Sequence, residues 1–436
     1  MVRSLSLVLS MLLGTVGCRS ERLPAAEQDS PEPTAPETKA QPSRCQAIGR
    51  DEVLGAKSEG DVSLDQLLPF ATEVGGGVAM EGGFAVGALR QAGSGTTSVV
   101  VATNRDATVW RTISVGASHG DSEAPRVFAR GGFLGLSVLE PAGASRILRL
   151  ARIDRDTVHW AAELPQGTDE SLAFDVALGA TKGVVVWDDV LKGRKVSSIV
   201  LSTVDAATLK NPSKPIAVTS AGTDAEMPRV VERDGGFWLF WLVRRSLAGR
   251  GVSMGDMRYE AEGIDQKWIE AVPLDAVGGV VGKPVRLGSS DGHVLAYGVA
   301  SVGDDAAVVV WRDDDTPSGS AGGQLLRVRV RLGGLDGPEP VDDEYAGAGA
   351  PRVMPGWFSM ADATGVTRLS PMASDGSLLD RLEPEPLLGA GEPMAVHGDD
   401  ILVSRPDGLA ARLFVVRCRR DVLYAPGQDA GEPLAP

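Results

Sequence analysis

The chain has 436 residues, 43% of them apolar, and a formal net charge of −15. That length holds one large domain or two to three ordinary ones. The acidity argues against nucleic acid, whose binding rests on Lys and Arg neutralising phosphates, and against an anionic membrane surface; it suits a soluble body, cationic ligands or divalent cations.

At the start, Arg3 precedes an apolar stretch from Leu5 to Leu13 that ends in Thr15-Val16-Gly17-Cys18. The stretch is too short to span a bilayer and has the form of a signal peptide over residues 1–17. Its last four residues resemble the bacterial lipoprotein cleavage box, although Thr15 stands where that family usually has Leu. The resemblance implies that Cys18 becomes a lipidated N-terminus. Arg19 replaces the Asp that can favour inner-membrane retention, so it implies the outer membrane, facing the periplasm or the cell surface. The other reading is an ordinary secreted protein cut near the same place. Residues 18–44 are rich in Pro, Glu, Ala and Ser and are expected to form a disordered tether reaching at most ~80 Å. Residues 425–436 share that composition and read as a loose tail.

Between these ends one hairpin recurs. Its clearest copy is Met227-Pro-Arg-Val230 followed by Asp234-Gly-Gly-Phe237-Trp-Leu-Phe-Trp241. The first strand returns as Ala124-Pro-Arg-Val127, Ala350-Pro-Arg-Val353 and, degraded, Glu392-Pro-Met-Ala-Val396. The second returns at Phe84, Phe133, Val184, Ala306, Trp357 and Ile401. A period of roughly 50 residues repeated about seven times is the signature of a propeller or an array. Two further apolar runs between hairpins, such as Ile147–Ile153 and Val196–Ser202, complete the four strands of a blade. The expectation is therefore all-β: a seven-bladed β-propeller over residues 45–424, with six or eight blades and tandem β-sandwiches as alternatives. Proline is expected at the first residue of the inner strands, where no ladder bond is lost. Residues 46–52 are expected to supply the outer strand of the last blade. The longest insertion separates Arg244 from Lys267 in blade four.

With Cys18 lipidated, Cys45 and Cys418 remain as a pair flanking the array. A disulfide there would clamp the ring closed in an oxidising compartment. The alternative is two unpaired buried thiols.

Several letter patterns carry weak chemistry. Gly116-Ala-Ser118-His-Gly120 matches a nucleophile elbow, but no helix is expected after it. His119, His159, His293 and His397 lack zinc-ligand spacing, and no metal site is assigned. The acidic runs Asp304-Asp305, Asp313–Asp315, Asp342–Glu344 and Asp399-Asp400 could chelate Ca²⁺ only weakly, without the register of a calcium loop, so no cofactor is expected.

The best site lies in loops that lead into inner strands. They place Asp121, Glu123, Asp169, Asp224 and Glu226 around the channel mouth with Arg126, Arg229 and Arg352. Convergent charges could bind a polar ligand such as a glycan or peptide. Alternatively, these groups pair across neighbouring blades and hold the ring together.

The blade pattern of Pro-Arg-Val, Gly-Gly-Phe and a Trp-ended strand resembles sialidase-type propellers in outline. That resemblance implies an arginine cluster for an acidic sugar and a Tyr/Glu pair with an Asp. The Asp-box is only partial at Ser289-Ser-Asp-Gly292 and Ser374-Asp-Gly376, and Tyr259 with Glu260 lies in the long insertion, so no catalysis is carried over. The chain is more similar to uncharacterised lipid-anchored bacterial propellers, which imply no activity. The expectation is a non-catalytic, monomeric envelope scaffold that binds a protein or polar ligand and meets the membrane only through its lipid. A sialidase-like glycan hydrolase is the alternative, and a structural propeller without a pocket is a third reading.

Overall fold

The computed structural model describes residues 43–420, apart from 55–72, 93–94, 118–122, 144, 166, 168–172, 247–264, 314–322, 343–348 and 409. Strand β1 (Cys45–Leu54) comes first but belongs to the last blade. Blade one is β2 (Val74–Met80), β3 (Gly83–Ala92), β4 (Gly95–Asn104) and β5 (Trp110–Ala117). Blade two is β6 (Arg126–Arg130), β7 (Phe133–Ala142), β8 (Ser145–Asp154) and β9 (Thr157–Pro165). Blade three is β10 (Phe174–Leu178), β11 (Lys182–Asp189), β12 (Ser198–Asp205) and β13 (Ile216–Ala217). Blade four is β14 (Asp224–Arg233), β15 (Gly236–Ser246), β16 (Asp265–Asp275) and β17 (Val285–Arg286). Blade five is β18 (Val294–Val302), β19 (Ala306–Asp313), β20 (Gln324–Arg331) and β21 (Gly334–Asp342). Blade six is β22 (Arg352–Met354), β23 (Trp357–Ala361), β24 (Thr367–Pro371) and β25 (Glu383–Pro384). Blade seven is β26 (Glu392–His397), β27 (Asp400–Asp407) and β28 (Ala410–Cys418), completed by β1. The result is a seven-bladed propeller of antiparallel four-stranded sheets.

The apolar runs are continuous rather than alternating because each central strand is covered on both faces. In β15, Phe237, Leu239, Trp241 and Val243 join the core shared with blade three, which includes Val184, Val186 and Leu201. The intervening Trp238, Phe240 and Leu242 join the core shared with blade five, with Tyr297, Val309 and Trp311. Glycines let neighbouring blades close on one another. A Cβ on Gly87 of β3 would stand 1.8 Å from the carbonyl oxygen of Pro125, and one on Gly298 of β18 would stand 2.5 Å from that of Pro351.

The prolines follow expectation in two blades and depart from it in two. Pro125 and Pro351 immediately precede β6 and β22. Pro228 instead lies inside β14, where the register with β15 shifts between Glu226 and Arg229. Pro393 is the second residue of β26, also at a register shift. In β14 the irregularity takes Pro228 out of the ladder, so its missing N–H costs no bond there, whereas Pro393 stays opposite Val403 on an edge strand.

Closure follows the expected scheme. β1 pairs antiparallel with β28, Cys45 lies opposite Cys418, and the two form a disulfide across 373 residues of chain. Arg412 of β28 reaches both Asp51 of β1 and Asp407 of β27. The Arg419 N–H donates to the Arg44 carbonyl at 3.2 Å, so the two ends of the described chain lie side by side.

Candidate functional site

Arg126, Arg229 and Arg352 come from the inner strands of blades two, four and six, β6, β14 and β22. The repeated Pro-Arg-Val segment sets them at matching positions in alternate blades, so their charges converge. Burial lowers the pKa of Arg126, and the neighbouring charge of Arg229 lowers it further. The same two causes push Arg352 down to about 10.

Their partners differ. Arg352 forms an ion pair with Glu392 of blade seven. Arg126 donates to the Phe174 carbonyl of blade three at 2.5 Å, and its guanidinium carbon lies 4.4 Å from the centroid of the Phe174 ring. Among the described residues Arg229 donates only to the carbonyl of Pro228, at 3.0 Å. Among the described residues neither Arg126 nor Arg229 has a carboxylate ion pair. Guanidinium groups held in this way keep donors for an incoming anion.

A strained backbone positions Arg229. Met227 adopts a φ of 56°, unusual for a residue with a side chain. Both of its backbone groups are taken by neighbours. Asp188 of blade three accepts from its N–H at 3.0 Å, and the buried Tyr297 hydroxyl of blade five donates to its carbonyl. Asp175 of blade three accepts from the Val230 N–H at 2.9 Å. Burial pushes the Tyr297 phenol above its ordinary value. Its hydroxyl therefore stays a neutral donor in the framework.

Glu123 stands just ahead of Arg126. Burial raises its carboxyl, against the pull of Arg126 and Arg146, while Glu73 and Asp188 raise it further. A carboxyl with a raised pKa is a better candidate to deliver a proton to a leaving oxygen than an ordinary one. Beyond Arg352 a cleft of about 490 Å³ opens across blades six, seven and one, with Glu73, Glu392, Ser359 and Ser404 in its walls.

The expected site residues divide. Glu123, Arg126, Arg229 and Arg352 lie near enough for their charges to act on one another, directly or in sequence. Asp224 and Glu226 pair within blade four, with Arg244 at 2.8 Å and Lys267 at 2.9 Å. Asp121, Asp169, Cys18, the Ser118-His119 pair, Tyr259 and Glu260 lie outside the described residues. The expected pairing between neighbouring blades occurs at Arg352–Glu392. Elsewhere the arginines use backbone carbonyls.

Three carboxylates of the acidic runs have partners within the protein. Asp313 accepts from the His293 N–H at 2.7 Å, Asp400 pairs with Arg417 at 2.7 Å, and Asp399 pairs with Arg420 at 3.0 Å.

Sequence reading missed Glu73, Asp175, Asp188, Tyr297 and Ser359. One signal for Asp188 was available. An aspartate follows a Trp-ended second strand at Trp187-Asp188 and again at Trp311-Arg-Asp313. In both blades it accepts a backbone N–H leading into the inner strand, from Ala173 at 3.1 Å and from His293 at 2.7 Å.

No family model matches the chain, and no curated protein matches it. Among solved structures it is similar to a PL25 polysaccharide lyase, an ulvan lyase bound to -[GlcA(1-4)Rha3S]-. The TM-score is 0.53 at 10% identity, covering 80% of this chain and 94% of that one. It is also similar to the β-propeller domain of the Trilobed protease from Pyrococcus furiosus, with TM-score 0.48 at 10% identity over 79% and 93% of the two chains. A Penicillium chrysogenum α-L-arabinanase complexed with arabinobiose gives 0.45 at 12% identity over 87% and 99%. At these identities the likeness establishes the propeller fold. It also corrects the expectation of a non-catalytic scaffold. The ulvan lyase, at a TM-score above 0.5, is an enzyme acting on a polysaccharide, which overturns the non-catalytic expectation without carrying that activity to this chain.

Proposed function

We propose that the protein is a glycan-cleaving enzyme that takes an acidic polysaccharide at the propeller mouth. The observation that carries this reading is the set of three arginines from alternate blades, two of them without a carboxylate partner among the described residues. A guanidinium fork matches the carboxylate of a uronate or a sulfate ester with two parallel hydrogen bonds. Glu123, raised by burial, serves as the proton donor to the leaving oxygen. If the cleavage is hydrolytic, Glu73 on the adjoining cleft is the candidate for the second carboxylate. The likeness to a polysaccharide lyase supports this reading.

The enzyme works outside the cytoplasm, tethered to the outer membrane through Cys18. The Cys45–Cys418 disulfide supports export, since such bonds persist in oxidising compartments.

The test is a polysaccharide panel assayed for new reducing ends, with ultraviolet absorbance separating lyase products, which carry an unsaturated uronate, from hydrolysis products. Uronate-bearing or sulfated polymers are expected to be cut and neutral arabinans left intact. Arg229→Ala is expected to lower kcat/KM by about 10- to 100-fold, the loss of a charged hydrogen bond. Equal cutting of neutral polymers, or no cutting of any, overturns the proposal.

A further inference from the structure

Asp188 lies near the end of β11 in blade three and is buried. One of its carboxylate oxygens accepts the Ala173 N–H at 3.1 Å, and the other accepts the Met227 N–H at 3.0 Å. Ala173 stands immediately ahead of Phe174, whose carbonyl and ring hold Arg126. Met227 stands two residues ahead of Arg229, at the register shift of β14. One carboxylate thus ties together the backbone seats of both arginines, although those seats belong to separate sheets. On the far side Asp175, next after Phe174, accepts from the N–H of Val230, next after Arg229.

The two guanidinium groups need such a tie. The charge of Arg229 acts on Arg126, and like charges part unless their backbones are fixed. An anion gains most from two forks that already stand in place, because none of its binding energy goes to ordering them. The φ of 56° at Met227 is a conformation that persists only where neighbours impose it. Asp313 offers the comparison. It makes the same kind of bond in blade five, to the His293 N–H at 2.7 Å, but the inner strand β18 carries no arginine.

We infer that Asp188 is a positioning residue of the mouth, fixing Arg126 and Arg229 relative to each other so that both take one carboxylate or sulfate group of the polymer. The inference rests on the acidic-glycan reading of the mouth. The sign of its effect separates position from charge. By charge alone, a carboxylate near an anion site weakens binding, and its neutralisation strengthens binding. As a brace, its loss weakens binding.

The test follows the side-chain Nε–H signals of Arg126 and Arg229 by NMR as glucuronate is added to the full chain, with Arg126→Lys and Arg229→Lys assigning the signals. In the native protein both signals are expected to move with a single Kd. Asp188→Asn keeps the size of the side chain but loses its charge and one acceptor, and is expected to raise Kd about tenfold or more. Asp188→Glu keeps the charge and displaces it. It is also expected to weaken binding, and it carries the test should the asparagine variant not fold. Asp313→Asn loses a comparable acceptor and is expected to leave Kd within about twofold. In an Arg229→Ala background Asp188→Asn is likewise expected to change Kd by less than about twofold, since no second fork remains to be aligned. Unchanged or tighter binding by the Asp188 variants, an equal loss in Asp313→Asn, an undiminished loss in the Arg229→Ala background, or movement of one signal alone overturns the brace while leaving anion binding at the mouth standing. Glucuronate that moves neither signal in the native protein overturns the arginine reading together with the brace.

Discussion

Glu123 is where environment turns an ordinary side chain into a candidate acid. Burial holds its carboxyl above the ordinary range, so the protonated form persists to higher pH and is lost as pH rises through the raised pKa. An alkaline limb in kcat/KM is therefore expected to belong to this group. Glu123→Gln should remove that limb and lower activity by about 10²- to 10⁴-fold, read from a pH–rate profile. The sign for stability runs the same way. A raised acid favours the fold below its unfolded pKa, and that contribution fades as pH rises through the folded pKa. Glu123→Gln, which cannot ionise, is expected to melt no lower than the native protein at neutral pH, which separates lost chemistry from lost structure. Arg229 could be picked out from its repeated Pro-Arg-Val setting, but the groups that aim it could not. Asp188 and Tyr297 act on the Met227 backbone from two neighbouring blades, and no local pattern in blade four announces them.

At the scale of elements, the propeller was readable because each second strand must be apolar on both faces. That demand writes an unbroken run such as Phe237-Trp-Leu-Phe-Trp241 once per blade. The outermost strands were harder to read. β13, β17 and β25 are two residues each, and β13 and β17 are half-buried or exposed, so little in their composition is constrained. Close backbone approaches between blades were also hidden, because no side-chain pattern records them. Gly87 is the sharpest case. Alanine there would drive a methyl group into the Pro125 carbonyl, and blades one and two would have to part. Gly87→Ala is expected to cost about 1–3 kcal/mol, measured by urea denaturation against the native chain. An unchanged midpoint would mean that blade two can shift freely. Such freedom would also loosen Arg126, which begins the same strand as the displaced loop.

For the whole molecule, the closing blade unites residues from both ends of the sequence. In the chain-entropy account, a bridge spanning 373 residues stabilises by at most ~6 kcal/mol, and the measured gain is usually smaller. A Cys45→Ser, Cys418→Ser double variant is expected to unfold at a lower urea midpoint while keeping the β-sheet signal in its circular dichroism spectrum, because the β1–β28 ladder and the ion pairs of Arg412 remain. Loss of the folded signal without denaturant would mean that the sulfur bridge alone holds the ring shut.

Arg44 and Arg419 touch through their backbones, so the described body begins and ends at one place on its circumference. Topologically it is a circle interrupted by a single nick. Which sheet counts as number one is then an accident of where the nick falls, and moving it to a loop between two other sheets would leave the same set of neighbours in contact. A fusion partner added at either end would leave from the same spot, and a single linker could carry both ends to one anchoring point.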